Sequence, residues 1–328
     1  MLFQAGPLLA ESTDEPEPES WFRSEYAVAV QRLEKPLTNL RCKGTVKWKV
    51  TGNAAPTGLF CEADSEHLVK GTSRLALFNY DRQHSSAGYD GTKVLCQTPS
   101  YTFKLQRSVR DRPYVITRFE TDKVNMARAG IEVVVLNDIY MFAAIAADAP
   151  KIKDYLGDPS VKIVRVSKGV QQHPELVEVA FDFTGSSYGY KSGRVILDTT
   201  LDWAIREYEL VLAVGDEATW RSTHKCTVLC QRWGPSRFVF PKRVIYMTDA
   251  GTPDGTKQVK DEKEVEFSEV VLNKVSDAQF TLAAFGLPDL ARLPSRTYYP
   301  FDNWLFWVCV LLAILSSGLL WLKYRRQH

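Results

Sequence analysis

Leu40, Cys42, Gly44, Val46, Trp48 and Val50 alternate without a break with Arg41, Lys43, Thr45, Lys47 and Lys49. Successive side chains of a strand point to opposite faces, so this run dictates a strand with one dry face and one wet, cationic face. The rhythm recurs. Tyr101, Phe103 and Leu105 alternate with Thr102, Lys104 and Gln106; Val177, Val179, Phe181 and Phe183 with Glu178, Ala180 and Asp182; Val265 and Phe267 with Glu264, Glu266 and Ser268. Residues 193–213 read as a hairpin turning near Asp198–Asp202, and 223–231 and 238–248 as two further strands. One-sided alternation belongs to antiparallel sheets. The expected fold is mainly β (α+β). The lysines on the wet face discourage edge pairing; the alternative is a contact with anionic lipid headgroups.

Helical spacing is confined to few places. Phe22, Tyr26, Ala29, Val30 and Leu33 share one face of a helix that Ser20 can cap and Pro36 stops. Between the two groups of strands, Ile131 to Ala147 is apolar apart from Glu132, Asn137 and Asp138. Three polar groups are costly at bilayer depth, so a buried or groove-covering helix is expected there rather than a membrane span. Asp148 and Pro150 then open a short second helix. Asp249–Glu264, with Gly251, Pro253 and Gly255, reads as a long loop at a hairpin tip. Residues 1–19 hold five acids and no Lys or Arg, the composition of a disordered leader.

Trp304 to Leu322 is a run of nineteen residues without a charge. As a helix it would be about 28 Å long, close to the ~30 Å hydrocarbon core. Trp304, Trp307 and Trp321 stand where interfacial aromatics are expected, and Lys323, Arg325 and Arg326 follow at once. Arg292 and Arg296 lie further off on the other side. The positive-inside rule places residues 323–328 as a basic cytoplasmic tail. Residues 304–322 then form a single transmembrane helix of a bacterial inner membrane, 289–303 a tether, and 20–288 an extracytoplasmic domain. Met1–Ala10 has no evident export signal. A later-called start, a processed chain or a tail anchor with a cytoplasmic bulk would each explain this; the first two agree with the charge rule. Cys309, Ala313 and Ser317 put small residues on one helix face, which would allow self-association.

Signatures of chemistry are weak. Gly185-Ser186-Ser187-Tyr188-Gly189 matches a nucleophile elbow, but a strand follows it where a helix is needed, and only His224 could serve as base. His224, Cys226 and Cys230 lack the second ligand pair of a zinc site. Cys226 and Cys230 are too far apart on one strand for a disulfide, though either could pair with Cys42, Cys61 or Cys96. Five cysteines outside the span, an odd number, leave at least one free or paired between molecules. No phosphate-binding loop occurs. A net charge of +2 offers no basic field for nucleic acid. No metal, cofactor or catalytic group is therefore expected.

The hairpin Gly193–Leu210, GRVILDTTLDWAIREYEL, and the segment Arg32–Trp48 resemble the LolA/LolB-like family of extracytoplasmic lipoprotein carriers. The resemblance spans about Ser20–Pro288. It implies a curved, antiparallel, unclosed β-barrel of about eleven strands wrapped over helices on its concave side, with an apolar cavity for acyl chains. A membrane anchor departs from the soluble carriers and puts shuttling in doubt. The resulting expectation is a non-enzymatic, membrane-anchored protein that holds a lipid or lipoprotein acyl chain. Val46, Trp48, Phe103, Leu105, Val179, Phe181 and Trp203 are the expected lining. Taken singly, each is also what any sheet buries. The alternatives are a periplasmic interaction or envelope-sensor module and, least favoured, a serine hydrolase using Ser187.

Overall fold

The computed structural model describes residues 18–54, 59–86, 90–108, 112–126, 154–155, 158, 160–183, 190–214 and 220–288. Outside them lie the leader up to residue 17, the expected helix of 131–147, Gly185–Gly189 with Ser187, and the expected tether and span. The anchor residues Trp304, Trp307, Trp321, Lys323, Arg325 and Arg326, and the small-residue face of Cys309, Ala313 and Ser317, also lie outside. No helix among the described residues is long and apolar enough to cross a membrane. The chain divides into a unit of Met1–Leu287 and a second of Pro288–His328.

Helix α1 runs from Pro18 to Glu34. A Glu19–Arg23 ion pair of 2.8 Å, four residues apart, braces its first turns. Phe22, Tyr26, Ala29, Val30 and Leu33, the stripe expected from spacing, are its buried residues. A 3₁₀ turn at Lys35–Thr38, with Pro36 in its first turn, leads into the sheet.

The thirteen strands of the described residues form one sheet. β1 (Asn39–Thr51), β2 (Leu59–Lys70), β3 (Ser73–Ser85), β4 (Gly91–Gln97), β5 (Thr102–Arg107) and β6 (Val115–Glu120) make one meander. β7 (Lys162–Lys168), β8 (Leu176–Asp182), β9 (Tyr190–Asp198), β10 (Ala204–Val214), β11 (Trp220–Trp233), β12 (Phe238–Gly251) and β13 (Gln258–Leu272) make the other. Antiparallel pairing of β1 with β13 joins them, leaving β6 and β7 at the two ends. The sheet is therefore large, antiparallel and unclosed, with thirteen strands among the described residues rather than about eleven.

The expected 193–213 hairpin is β9–β10. Its turn is the 3₁₀ segment Thr199–Leu201, capped by the Asp198 carboxylate, which accepts from the Thr200 amide at 3.0 Å and its hydroxyl at 2.6 Å. The expected loop Asp249–Glu264 is largely strand. Asp249 pairs with Lys260 and Gly251 with Gln258, so only residues 252–257 form the tip. Both faces are wet at this end of the sheet, so the strands carry no apolar alternation there and read as loop.

Directly opposed residues of neighbouring strands share a face, so the pairing tracks each face across the sheet. Val46 opposes Ala63 and Val265, Val265 opposes Val244, and Val244 opposes Val228. Tyr246, Cys226, Tyr208, Val195, Val179 and Val166 form the next row. On the other wing Cys42 leads through His67 and Ala76 to Leu95. These side chains share one apolar cluster with the stripe of α1. The opposite face carries Arg41, Leu68, Leu75, Cys96 and Phe103 in one row, and Lys43, Glu66, Leu77, Val94 and Leu105 in another. Two 3₁₀ turns that follow β13, Asp277–Phe280 and Leu282–Phe285, pack there. The Tyr101 hydroxyl donates to the Phe280 carbonyl at 3.1 Å, and Phe285 stands 6.0 Å from Phe103 and 5.4 Å from Tyr114 between ring centres.

Candidate functional site

The face under α1 is built from residues spread over almost the whole chain. Its strands are Val-, Phe- and Tyr-rich at alternate positions, which is what a half-buried pleated surface favours. α1 is held at one end by aromatic contacts. Trp203 lies 5.4 Å from Trp21 and 5.8 Å from Phe22, and Lys168 stands 3.6 Å over the Trp21 ring. Further in, Tyr155 meets Phe183 edge-on at 5.2 Å, and Phe183 packs 6.1 Å from Phe181.

Of the seven expected lining residues, Val46, Val179, Phe181 and Trp203 come together in this cluster, all buried. Trp48 is on the same face but half-buried, its indole Nε1 donating to Asp261 at 2.5 Å. Phe103 and Leu105 are buried on the opposite face, beneath the 3₁₀ turns, and belong to a separate layer. Alternation within β5 shows that the two side chains share a face; only the pairing through β4, β3 and β2 shows which one. Tyr26, part of the expected stripe of α1, belongs to the cluster, and His67, which was not expected, lies beside it. His67 is fully buried, 5.6 Å from the ring of Phe78 and 6.5 Å from that of Phe267. Its signal was present in the alternation of β2, Ala63-x-Ser65-x-His67-x-Val69, which small and polar side chains disguise.

At the end of this face nearest Trp48 the apolar rows give way to a polar band. Lys263 pairs with Asp261 at 2.9 Å and lies 5.9 Å and 5.8 Å from the rings of Trp48 and Tyr246. The Tyr246 hydroxyl and His224 Nδ1 are 2.6 Å apart, and His224 Nε2 lies 3.1 Å from the Ser222 hydroxyl. Both imidazole nitrogens thus have partners within the band. No group of three metal-ligating side chains occurs among the described residues. Cys42, Cys61, Cys96, Cys226 and Cys230 are buried thiols, so the cross-strand disulfides left open above are not formed. Burial pushes the Cys42 and Cys96 thiols well up, and the Cys230 thiol up to about 12, opposed there by Arg206 and aided by Asp198. Such thiols are inert toward metals and electrophiles.

Three cations of the β1 stripe, Arg41, Lys43 and Lys47, are engaged by carboxylates. Arg41 meets Glu66 at 2.6 Å, Lys47 meets Glu62 at 3.7 Å, and Lys43 meets Glu269 at 3.4 Å. Two grooves of about 260 Å³ each open on this same wet face, one beside Ile196, Glu207 and Leu229, the other beside Lys49, Met247 and Glu262. None of the seven expected residues lines either groove.

No known protein family matches the chain, and no curated protein is significantly similar to it in sequence. Among solved structures, a DUF1329 family protein from Desulfovibrio piger is 9% identical, with 80% of this chain and 98% of that one covered and a TM-score of 0.40. A domain from Vibrio parahaemolyticus described as an outer membrane lipoprotein-sorting protein is 8% identical, with 82% and 100% covered and a TM-score of 0.40. Overlap this loose says nothing about function.

Proposed function

We propose that the protein holds the acyl chains of a lipid or lipoprotein against the α1 face of its sheet, without chemical conversion. In this reading residues 304–322 anchor it as a single span in a bacterial inner membrane, with the sheet outside the cytoplasm and the basic tail within it. The supporting observation is the size of the apolar face relative to its helix. Apolar side chains occupy this face on every strand from β4 round to β7, from Leu95 to Ile163. Eleven strands at a spacing of about 4.8 Å make a surface roughly 48 Å wide. Among the described residues α1 is the helix that packs on this face, and at about 10–12 Å across with its side chains it spans part of that width. Acyl chains suit such a surface, since each buried CH₂ contributes about 0.8 kcal/mol.

The test is to purify the full-length chain, extract it with organic solvent and analyse the extract by mass spectrometry, then titrate the stripped protein with a fluorescent acyl probe. Co-purified acyl lipid and saturable probe binding are expected. An empty extract together with no saturable binding would end the lipid reading. For the anchor, alkaline washing of membranes should leave the full-length chain in the pellet; release into the supernatant would refute the span.

A further inference from the structure

The stripe of α1 contains one group that the apolar face does not accommodate by itself. Tyr26 is 3% exposed, stacked on Phe22 at 5.4 Å with the rings 19° from parallel. Its hydroxyl is buried and has no hydrogen-bond partner among the described residues. Phenylalanine would fill the same place without that cost, because a buried donor left unpaired forfeits the hydrogen bonds it made to water. An orphaned hydroxyl on the buried side of the helix that covers a proposed acyl site is explained if the occupant supplies the missing acceptor. We propose that Tyr26 donates a hydrogen bond to an ester carbonyl of an acylated lipid seated beneath α1. This inference rests on the reading of the α1 face as an acyl site and names the part of the lipid that α1 recognises.

The surroundings select the kind of acceptor. Burial, then the carboxylates of Glu34 and Asp154, hold the phenol far above its ordinary range of ionisation. It is therefore a neutral donor throughout the physiological range. The same two carboxylates make the site unfavourable for a second anion, which disfavours the carboxylate of a free fatty acid and the phosphate of a headgroup. A neutral carbonyl remains. Acyl esters carry one at the root of each chain, where an apolar pocket would otherwise meet a polar atom with no partner. The contact thus marks how deep the chain inserts: the ester sits level with Tyr26, and the methylenes run on over the sheet.

The experiment compares a diacyl phosphatidylglycerol with its dialkyl ether counterpart, which has the same chains and headgroup but no carbonyl. Each displaces a fluorescent acyl probe from the detergent-solubilised full-length chain. The wild-type protein should prefer the ester by about tenfold, the scale of one buried hydrogen bond to a group otherwise left unpaired. Tyr26→Phe should abolish that preference while binding the ether lipid as the wild type does. The lipid-free variant should melt no lower than the wild type, since it loses only an orphan. Equal wild-type affinity for ester and ether would overturn the Tyr26 assignment and leave the acyl reading standing. Equal weakening of both lipids by Tyr26→Phe would also overturn it, by showing that the ring packs and the hydroxyl does nothing. If the wild type binds neither lipid, the proposed function fails and this inference fails with it. The wild-type ratio needs no variant, so a poorly folding Tyr26→Phe does not remove the test.

Discussion

Gly44 lies where the pairing of β1 and β13 changes register, between Lys43 and itself. A Cβ built there would stand 2.3 Å from the Glu266 carbonyl oxygen, so the strands approach as closely as they do only because the residue has no side chain. Gly44→Ala should destabilise the protein by about 1–3 kcal/mol, as overpacking does, measured by urea unfolding. An unchanged midpoint would mean the bulge is tolerant. Cys230 gives a pH dependence. Its thiol is raised from 9.0 to about 12, chiefly by burial. The folded state therefore keeps a proton that the unfolded chain releases above pH 9. By linkage, stability is fully present below that pH and falls as pH rises from about 9 to 12. Cys230→Ala should flatten the decline over that range by about 1.4 kcal/mol per pH unit; an identical slope in the variant would contradict the assignment. Trp203, left-handed at φ 61°, is held by Trp21 and Phe22. Its burial was legible as one apolar residue beside a turn, its partners were not, because they are some 180 residues distant.

At the scale of elements, the two faces of the sheet divide the labour. α1 covers part of one, and the turns Asp277–Phe280 and Leu282–Phe285 cover part of the other. Phe181 and Leu105 are both buried, yet they belong to different layers. Phe181→Ala and Leu105→Ala should each cost about 2–5 kcal/mol in unfolding experiments. Only Phe181→Ala should also weaken binding of the acyl probe. Weakening by Leu105→Ala alone would move the site to the opposite face. The buried stripe and the end of α1 were readable, because a 3.6-residue period and a proline stop are local signals; its start was not, since the helix already runs at Pro18 and Ser20 lies within it rather than capping it. The β12–β13 tip was not, because strands that project beyond the core have no dry face and lose the alternation that announces them.

For the whole molecule, the pairing of β1 with β13 makes the centre of the sheet from the two meanders, and β6 and β7 become its ends. Hydrogen exchange should therefore be slowest in β1, β12 and β13 and fastest in β6 and β7, whose backbone groups are paired on one side only among the described residues. Comparable protection across all strands would argue that further structure shields the ends. Period-two alternation by itself determined that this is an antiparallel β protein, where most strands lie and which of their side chains turn away from water, because each strand's burial is written into its own residues. Tertiary structure alone decided that the dry sides of β1 and β5 look in opposite directions, that Phe103 and Leu105 leave the expected site, and that Tyr26 and His67 enter its neighbourhood. The physical reason is that alternation fixes faces only relative to a strand's own backbone, whereas the sheet face that each one joins follows from hydrogen-bonded register with distant neighbours, as far apart in sequence as Leu40 and Leu272.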